Sequence, residues 1–306
     1  MSTPARAGTR RGTTNDPIRH RFPVDGLDLV AWEWPGSGDP ILLVHATGFH
    51  SRCWDAVVEA LPGKRVLALD LPSHGRSARR IPPYDWRRFG ADVRESLAAL
   101  GLQRVLGVGH SMGGHALLLA AAAAPRDFRA LMLLDPVIIE PESARRMRVP
   151  RAAEHPIGRR RAHWESSEAM FTAFRSRAPY AAWEPRVLRD YCDYGLEPDP
   201  GGGFRLACPP LLEAEVYASV SMEHIMEAIE TVRIPVDVIR ARSRVPADSP
   251  FDFGPSATWE QLAEELPHGH DEQLAESSHF FPMERPRWLA QRILRADLEY
   301  GATMQH

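Results

Sequence analysis

The sequence contains little cysteine, and no two of its cysteines are close together. Its 306 residues include three cysteines, Cys53, Cys192 and Cys208, and no CxxC pair. Disulfide scaffolds use dense, even sets of cysteines, and structural zinc sites use closely spaced pairs. The pattern therefore argues against both and favours a reducing compartment. We expect a cytoplasmic protein that works without a metal or other cofactor.

Long apolar runs and a strong net charge are also missing. No stretch approaches the roughly 18 consecutive apolar residues that indicate a membrane-spanning helix. The net charge is −3, with 44% hydrophobic and 25% charged residues. Such a balance gives no electrostatic reason to expect nucleic acid or an anionic membrane as a partner. We expect a globular protein with a small-molecule substrate, and the sequence gives no indication of its oligomeric state.

The first twenty residues lack the apolar segment of a secretory signal. They are rich in Arg, Thr and Gly instead. Secretory signals need an apolar core behind a basic start. We therefore expect residues 1–20 to form a disordered tail.

Short apolar runs alternate with helix-like segments along most of the chain. This rhythm is typical of βαβ units and a parallel sheet, so we predict an α/β fold with helices on both faces of the sheet. The predicted strands are residues 27–34, 41–45, 65–70, 104–109, 130–139 and 235–241, and residues 86–101 form a predicted helix.

The rhythm breaks between residues 140 and 231. This segment is rich in Arg, Pro, Trp and Tyr and has few strand-like runs. We predict a core formed by residues 21–139 and 232–306, with residues 140–231 inserted as a helical cap. A cap at this point would cover the carboxyl ends of the strands, where open α/β sheets bind ligands.

A candidate nucleophile lies in the segment Gly109-His110-Ser111-Met112-Gly113, which fits the pattern G-x-S-x-G. An apolar strand precedes this pentapeptide and an alanine-rich helix follows it. In such a cramped strand-to-helix turn, side chains at the two glycine positions would crowd the neighbouring backbone. Ser111 would stand at a helix N-terminus, whose free N–H groups favour a developing anion.

A second turn could complete an anion-binding site. The stretch "LLVHATGFH" (42–50) reads as a strand that ends in His45-Ala46-Thr47-Gly48. The backbone N–H of Thr47 could point to the same place as the N–H of Met112 and form an oxyanion hole. For His45 we prefer a structural role in organising this loop.

A candidate general base follows the last strand-like segment. His279, in "SSHFFPMERP" (277–286), lies just before a helix predicted to begin near Pro286. This places it in a loop at the carboxyl edge of the sheet. There its imidazole could accept the proton of a serine nucleophile.

On the basis of these residues, the sequence resembles the α/β-hydrolase superfamily from about residue 20 onward. Within that superfamily it resembles a bacterial branch with a serine nucleophile and a cap. The landmarks are the segments 45–48, 70–77, 109–113 and 279–284. The resemblance implies a mostly parallel twisted sheet and a triad in the chain order Ser, Asp, His. Ala46 departs from the pattern, which commonly has Gly there.

The acid of the triad is not at the usual place. In this superfamily it commonly follows the seventh strand, but here that strand is followed by Arg242, Ser243 and Arg244. Asp135 interrupts an apolar run after the nucleophile helix, and a buried carboxylate there would need a partner such as His279. Some relatives place the acid after the sixth strand. We therefore prefer Asp135, with Asp248 and Asp252 as alternatives.

The predicted cap carries arginine runs and several aromatic residues. An arginine run could bind an anionic substrate, although such runs more often form a solvated face. As residues that could line the substrate pocket we select His110, Trp54, Trp164 and Trp183.

These observations favour a serine hydrolase that cleaves a carboxylic ester or lactone through an acyl-enzyme. Ser111 would be the nucleophile, His279 the base and Asp135 the acid that orients it. A C–C bond hydrolase or a cofactor-free haloperoxidase is an alternative, and a small-ligand receptor on the same fold is a non-enzymatic one. Dehalogenases and epoxide hydrolases of this fold are disfavoured, since they need a carboxylate where this chain has Ser111.

Overall fold

A central sheet of eight strands organises the computed structural model, which describes residues 16–249 and 252–302. The strands in chain order are β1 (Ile18–Val24), β2 (Leu27–Trp34), β3 (Ser37–Val44), β4 (Lys64–Asp70), β5 (Val105–His110), β6 (Phe128–Leu134), β7 (His163–Trp164), β8 (Leu196–Pro198), β9 (Phe204–Leu206), β10 (Val236–Arg240) and β11 (Gly269–Gln273). The central sheet has the order β1-β2-β4-β3-β5-β6-β10-β11, and β7, β9 and β8 form a separate small sheet.

Helices cover both faces of the central sheet. They are α1 (Asp55–Val58), α2 (Trp86–Leu100), α3 (Met112–Ala123), α4 (Pro141–Arg146), α5 (Ser167–Phe174), α6 (Pro185–Tyr194), α7 (Pro210–Ala218), α8 (Ile225–Thr231), α9 (Leu262–Glu265), α10 (Phe281–Glu284) and α11 (Pro286–Ala302). Within the described residues, none of them is both long enough and apolar enough to cross a membrane.

The strand directions confirm the predicted α/β fold. β2 pairs antiparallel with β1 and with β4, while every other neighbouring pair in the central sheet is parallel. All residues of β5 and β6 are buried, as expected for parallel strands covered on both faces. Their carboxyl ends lie side by side, and this edge carries the candidate site.

The insertion between β6 and β10 contains more than helices. Besides α4 to α7 it includes the antiparallel sheet β7-β9-β8, which the sequence pattern did not indicate because its strands are only two or three residues long. Helix α8 lies inside the segment 140–231, but its buried residues Ile225 and Ile229 belong to the same core cluster as α3. We therefore propose that the cap comprises residues 140–224.

The amino-terminal strand begins earlier than the predicted tail boundary. β1 starts at Ile18, inside the predicted tail 1–20, of which residues 1–15 lie outside the described part of the chain. Asp25 and Gly26 join β1 to β2 with φ values of 50° and 72°. Positive φ at both central residues is what a two-residue hairpin requires, and Asp-Gly supplies it. The hairpin pairing therefore orders Ile18, Arg19 and His20.

Candidate active site

Ser111 occupies a sharp turn between β5 and α3. Its φ of 57° and ψ of −118° lie outside the conformations that a non-glycine residue prefers. Such strain persists only where the surroundings impose it, and it is common at functional sites. The side chain is only 6% exposed. The turn thus holds the serine hydroxyl at the carboxyl edge of the sheet.

The glycines around Ser111 are required because backbone segments approach one another closely. A Cβ on Gly113 would lie 2.3 Å from the carbonyl oxygen of Val44, and a Cβ on Gly109 would lie 2.6 Å from the carbonyl carbon of Gly113. Neither contact is possible without moving backbone. The G-x-S-x-G pattern is therefore a packing requirement of this turn, as the sequence predicts.

Asp135 lies directly after β6 and contacts His279. Its Oδ2 is 2.5 Å from Nδ1 of His279. The carboxylate is fully buried and accepts further hydrogen bonds at Oδ1, from the Ala241 backbone N–H at 3.0 Å and from the Ser256 hydroxyl at 2.5 Å. A buried carboxylate with this many donors is well compensated. The structure brings Asp135 and His279 together as a hydrogen-bonded pair.

Two opposing effects set the ionisation of Asp135. Burial raises the pKa of the carboxyl, but hydrogen bonding and charge interaction with His279, followed by the hydrogen bonds from Ser256 and Ala241, outweigh burial and leave the pKa below its ordinary value. Hydrogen bonds to the charged form favour that form. Asp135 is therefore a carboxylate at neutral pH and can stabilise a positive charge on His279.

The two alternative acids make other contacts. Asp248 pairs with Arg242 at 2.9 and 3.0 Å, and this hydrogen bonding lowers the pKa of Asp248 to about 2. Asp252 accepts the Gly254 N–H at 2.8 Å. The loop that carries these two aspartates contacts His279 through its backbone instead, because the His279 N–H donates to the Gly254 carbonyl at 2.7 Å. Neither alternative carboxylate contacts the imidazole.

The second ring nitrogen of His279, Nε2, is not used in the contact with Asp135. Because Nδ1 faces Asp135, Nε2 on the far side of the ring is the nitrogen available to accept a proton. Ser111 and His279 line the same cavity. Behind them, the Nε2–H of His110 donates to the His279 carbonyl at 2.9 Å, and burial lowers the pKa of His110 to about 3. A neutral His110 therefore supports the loop that carries the candidate base.

The candidate oxyanion donors Thr47 and Met112 are neighbours. The Thr47 hydroxyl donates to Sδ of Met112 at 3.3 Å. Met112 is the first residue of α3, so its N–H belongs to the helix-terminal groups without an intrahelical acceptor. The next residue in the turn, Gly48, donates its N–H to Nε2 of His74 at 3.0 Å. Its N–H is thereby occupied, which is consistent with a donor role for Thr47.

His45 and His74 hold this turn from the core side. His45 donates from Nδ1 to the Ala46 carbonyl at 2.8 Å and accepts the Leu71 N–H at Nε2 at 3.0 Å. Both rings must be neutral to accept an N–H. Burial lowers the pKa of His45 to about 4 and that of His74 to about 3. His45 thus has the loop-organising contacts expected of a structural histidine.

Comparison with known proteins places this chain in a family. Residues 41–292 match the model of the alpha/beta hydrolase family. The chain belongs to that family. It is 29% identical over 229 residues to lipase LipV of Mycobacterium tuberculosis, a match that covers 72% of this chain and 82% of LipV. It is also 36% identical over 125 residues to a non-heme haloperoxidase of Rhodococcus erythropolis, covering 39% of this chain and 45% of the relative. The chain therefore matches less than half of the length of the haloperoxidase.

The fold of this hydrolase recurs in solved structures of low sequence identity. The crystal structure of E-2-(acetamidomethylene)succinate hydrolase superposes with a TM-score of 0.72 at 20% identity, covering 91% of this chain and 98% of the other. At that identity the likeness establishes the shared fold. The structure and the family match together confirm the superfamily resemblance drawn from the sequence.

The site of this hydrolase opens into a cavity of about 320 Å³. Core, cap and the loop after β10 all contribute to its wall, which is mostly apolar. The lining residues are Ala46, Thr47, Phe49, Trp86, Ser111, Val137, Ile139, His279 and Phe280 from the core, Met147, Arg148, Val149, Pro150, His155, Tyr217 and Val220 from the cap, and Arg244, Asp252, Phe253, Pro255 and Ala257 from the loop.

The four side chains selected from the sequence as pocket residues lie elsewhere. His110, Trp54, Trp164 and Trp183 are buried and are absent from the cavity wall. Trp183 packs against Phe49 and Phe280, which do line the cavity, with ring centroids 5.4 and 5.7 Å apart. The prediction failed because large aromatic side chains in a cap can equally well fill its interface with the core.

Several residues of the site escaped the sequence analysis. Ser256 and Thr258 surround Asp135, with the Thr258 hydroxyl 3.4 Å from Oδ1. Their segment "PSATW" has no motif that marks it. His74 lies within a landmark of the family resemblance, residues 70–77, but its contact with Gly48 depends on how two loops pack. No periodicity in the sequence encodes such a contact.

Proposed function

We propose that this hydrolase cleaves a carboxylic ester or lactone by nucleophilic catalysis, with Ser111 as nucleophile, His279 as general base and Asp135 as the acid. The observation that carries the proposal is the 2.5 Å contact between Asp135 and His279 beside a cavity that Ser111 also lines. The esterase and lipase names among its relatives support it.

The proposed reaction has two halves, acylation of Ser111 and hydrolysis of the acyl-enzyme, and His279 acts as the base in both. His279 Nε2 removes the hydroxyl proton as Ser111 Oγ bonds to the carbonyl carbon, and the carbonyl oxygen becomes an oxyanion facing the N–H groups of Thr47 and Met112. Collapse of this intermediate breaks the C–O bond, and the imidazolium protonates the leaving alkoxide. Water then attacks the acyl-enzyme with His279 again as base, which releases the acid and restores Ser111.

The cavity supports a small substrate with an apolar acyl or alcohol group. Its volume of about 320 Å³ is at the lower end of the usual range for small-molecule sites. The aliphatic and aromatic side chains of the wall would favour hydrocarbon over strongly polar groups. We therefore propose short-chain or medium-chain esters and small lactones as substrates.

A fluorophosphonate probe tests the nucleophile. We expect one label per chain, at Ser111, and hydrolysis of aryl esters that is lost in Ser111→Ala. Ser221→Ala, which alters an exposed serine of the cap, is the matched control and should behave as wild type. Labelling that persists in Ser111→Ala would contradict the proposal.

A panel of substrates distinguishes ester hydrolysis from the alternative functions. It should contain esters, lactones, a β-diketone, and a phenol with bromide and peroxide. Turnover of only the β-diketone would favour C–C bond hydrolysis, and only peroxide-dependent bromination would favour a haloperoxidase. Tight retention of a ligand with negligible turnover would favour a receptor. Each of these results would replace the ester assignment.

A further inference from the structure

The turn that carries the proposed oxyanion donor Thr47 is enclosed on two sides. On the core side, His74 accepts the Gly48 N–H. On the other side the turn faces the cap, where Arg160, Tyr191 and Cys208 border a void of only about 10 Å³ beside Gly48. A void of this size has room for about one water molecule at most. The cap therefore packs closely against the turn.

A carboxylate of the cap lies against Gly48. A Cβ built on Gly48 would lie 2.2 Å from Oε1 and 2.7 Å from Cδ of Glu213, which belongs to α7. Gly48 has a φ of 80°, which also favours glycine. Glu213 is only 2% exposed. The carboxyl group thus occupies the space that a side chain at position 48 would need.

A partly buried arginine holds this carboxylate in place. Nη1 of Arg160 lies 3.0 Å from Oε2 of Glu213 and donates a hydrogen bond to Oε1 at 3.3 Å, while Nη2 donates to the Tyr191 hydroxyl at 3.3 Å. Burial lowers the pKa of Arg160, but the charge of Glu213 outweighs it and raises that pKa above its ordinary value. Burial raises the pKa of Glu213, and Arg160 opposes this.

Burying the charge of Glu213 is costly even with a partly exposed partner, so stability alone does not explain the presence of this ion pair. An ion pair in the interior is often no more stabilising than apolar residues of similar volume, although removing one partner alone is strongly destabilising. The ion pair between Glu213 and Arg160 fixes the position of the Glu213 carboxylate. Glu213 and Arg160 come from different segments of the cap, and their contact sets where the carboxylate meets Gly48.

We infer that Glu213, fixed by Arg160, is a positioning residue for the oxyanion hole. It presses Gly48 against His74 and so sets the direction of the adjacent Thr47 N–H. The inference rests on the proposed function. It makes the seating of the cap a condition for transition-state stabilisation, because oxyanion donors act only within a narrow range of distance. Neither Glu213 nor Gly48 lines the cavity wall, so we expect substrate binding to depend on this contact less than transition-state stabilisation does.

The first test separates kcat from KM. In Glu213→Ala, kcat per active site should fall at least about tenfold, a part of the roughly 10²–10³-fold loss seen when an oxyanion donor is removed, while KM stays within about twofold. Sites are counted by titration with the fluorophosphonate, so unfolded protein does not enter kcat. Glu213→Gln, whose amide keeps the shape of the carboxyl group against Gly48, should recover part of the loss.

The matched control is Glu215→Gln, on the same helix but half-buried and away from the turn. It should leave kcat and KM unchanged. If Glu213→Ala and Glu213→Gln both keep kcat within about twofold of wild type, the inference is wrong. Equal changes in kcat and KM, or a loss that disappears after titration of sites, would assign Glu213 a purely structural role and also overturn it.

A double-mutant cycle tests the contact itself. Gly48→Ala should lose much of kcat because the new methyl group would meet Oε1 of Glu213 and because a φ of 80° is unfavourable for alanine. Adding Glu213→Ala removes that clash, so the double variant should be no worse than Gly48→Ala alone. Losses that multiply would mean that the two positions act independently, and the inference would fail.

Failure of the proposed function would be visible separately. Wild-type protein that is not labelled at Ser111 and does not cleave esters would overturn both the hydrolase mechanism and the positioning role. Labelling and turnover in wild type, with an insensitive Glu213, would overturn only the latter.

Discussion

At the scale of single residues, the acid of the proposed triad has moved to a neighbouring strand. Asp135 follows β6, while the loop after β10 supplies Ala241 and Ser256 as its hydrogen-bond donors. β6 and β10 pair in parallel, with Leu134 opposite Ile239. Their carboxyl ends are adjacent, so a carboxylate on either strand can reach the same imidazole. The loop after β10 thus surrounds the acid instead of providing it.

Replacement of Asp135 by asparagine should nearly abolish activity. An amide at this position favours the wrong tautomer of His279, and we expect kcat/KM to fall on the order of 10⁴-fold with the fold retained. Asp248→Asn and Asp252→Asn should lose little, since neither contacts His279. Steady-state kinetics with circular dichroism as a folding control decide this. Near-normal activity of Asp135→Asn would remove it from the triad.

Removal of one donor to Asp135 should have a graded effect. Ser256→Ala deletes the hydroxyl at 2.5 Å that helps lower the pKa of Asp135. The pKa of the carboxyl should therefore rise, and it should bind a proton at higher pH. We expect the titration of the Asp135 carboxyl, followed by NMR, to move to higher pH, with at most about a tenfold loss of kcat/KM at neutral pH, the scale of one hydrogen bond to a charged group. An unchanged carboxyl titration would contradict this account.

At the scale of helices and strands, the cap contributes two different layers. Val149 and Val220 line the cavity, whereas Trp183 lies behind Phe49 and Phe280. We expect the outer layer to stabilise the interface and the inner layer to contact substrate. Substitutions in the two layers should therefore have separable effects.

Val220→Phe should narrow substrate choice, while Trp183→Ala should weaken the fold. The larger side chain at 220 takes volume from the cavity, so kcat/KM for longer acyl esters should fall several-fold more than for acetates. Loss of the buried indole should cost about 3–5 kcal/mol of unfolding free energy. Kinetics with esters of increasing acyl length measure the substrate preference, and urea denaturation measures the free energy of unfolding. A selective chain-length effect of Trp183→Ala without loss of stability would reverse the assignment.

The sequence predicted those elements whose pattern is local. β2 and α2 have the bounds or nearly the bounds expected, because β2 contains the apolar run 29–32 and α2 repeats Phe89, Val93 and Leu97 on its buried face. β1 and β11 were missed. They are edge strands, and the sequence of β11, GHDEQ, is polar throughout. Only pairing with β10 reveals it as a strand.

The same contrast holds for the site. Ser111 and its glycines form a local turn, so the residues themselves predict it. The cavity wall depends on how the cap packs against the core, which no single segment encodes. For that reason the aromatic residues chosen from composition lie outside the wall.

At the scale of the whole molecule, the buried histidines link stability to pH. Burial lowers the pKa of each of them to about 3 or about 4: His45, His50, His74, His110 and His115. In the unfolded chain a histidine has a pKa of about 6.5. Between these values the unfolded chain binds more protons than the folded one. These five histidines therefore lower the free energy of unfolding as pH falls from about 6.5 to about 4. Asp190, whose pKa burial raises to about 7, acts in the opposite direction, but it is one group against five.

We expect this decrease to be steep, up to about 1.4 kcal/mol per pH unit for each histidine. Urea denaturation at pH 7, 6 and 5 measures it. His115→Gln should reduce the slope, because it removes one such group outside the proposed catalytic machinery; His115 donates to the Val137 carbonyl at 2.9 Å. The same free energy of unfolding at pH 7 and pH 5 would contradict the prediction.

The contact between Asp135 and His279 joins residues 144 positions apart. During synthesis, the turn that carries Ser111 leaves the ribosome once the chain has emerged to the end of α3. The imidazole of His279 emerges only after nearly the entire sheet has been synthesised. Contacts over such separations form late, since a long loop must first be closed. The nascent chain would therefore carry an inert serine for most of its synthesis. Reactivity of Ser111 would begin only when the last segments dock.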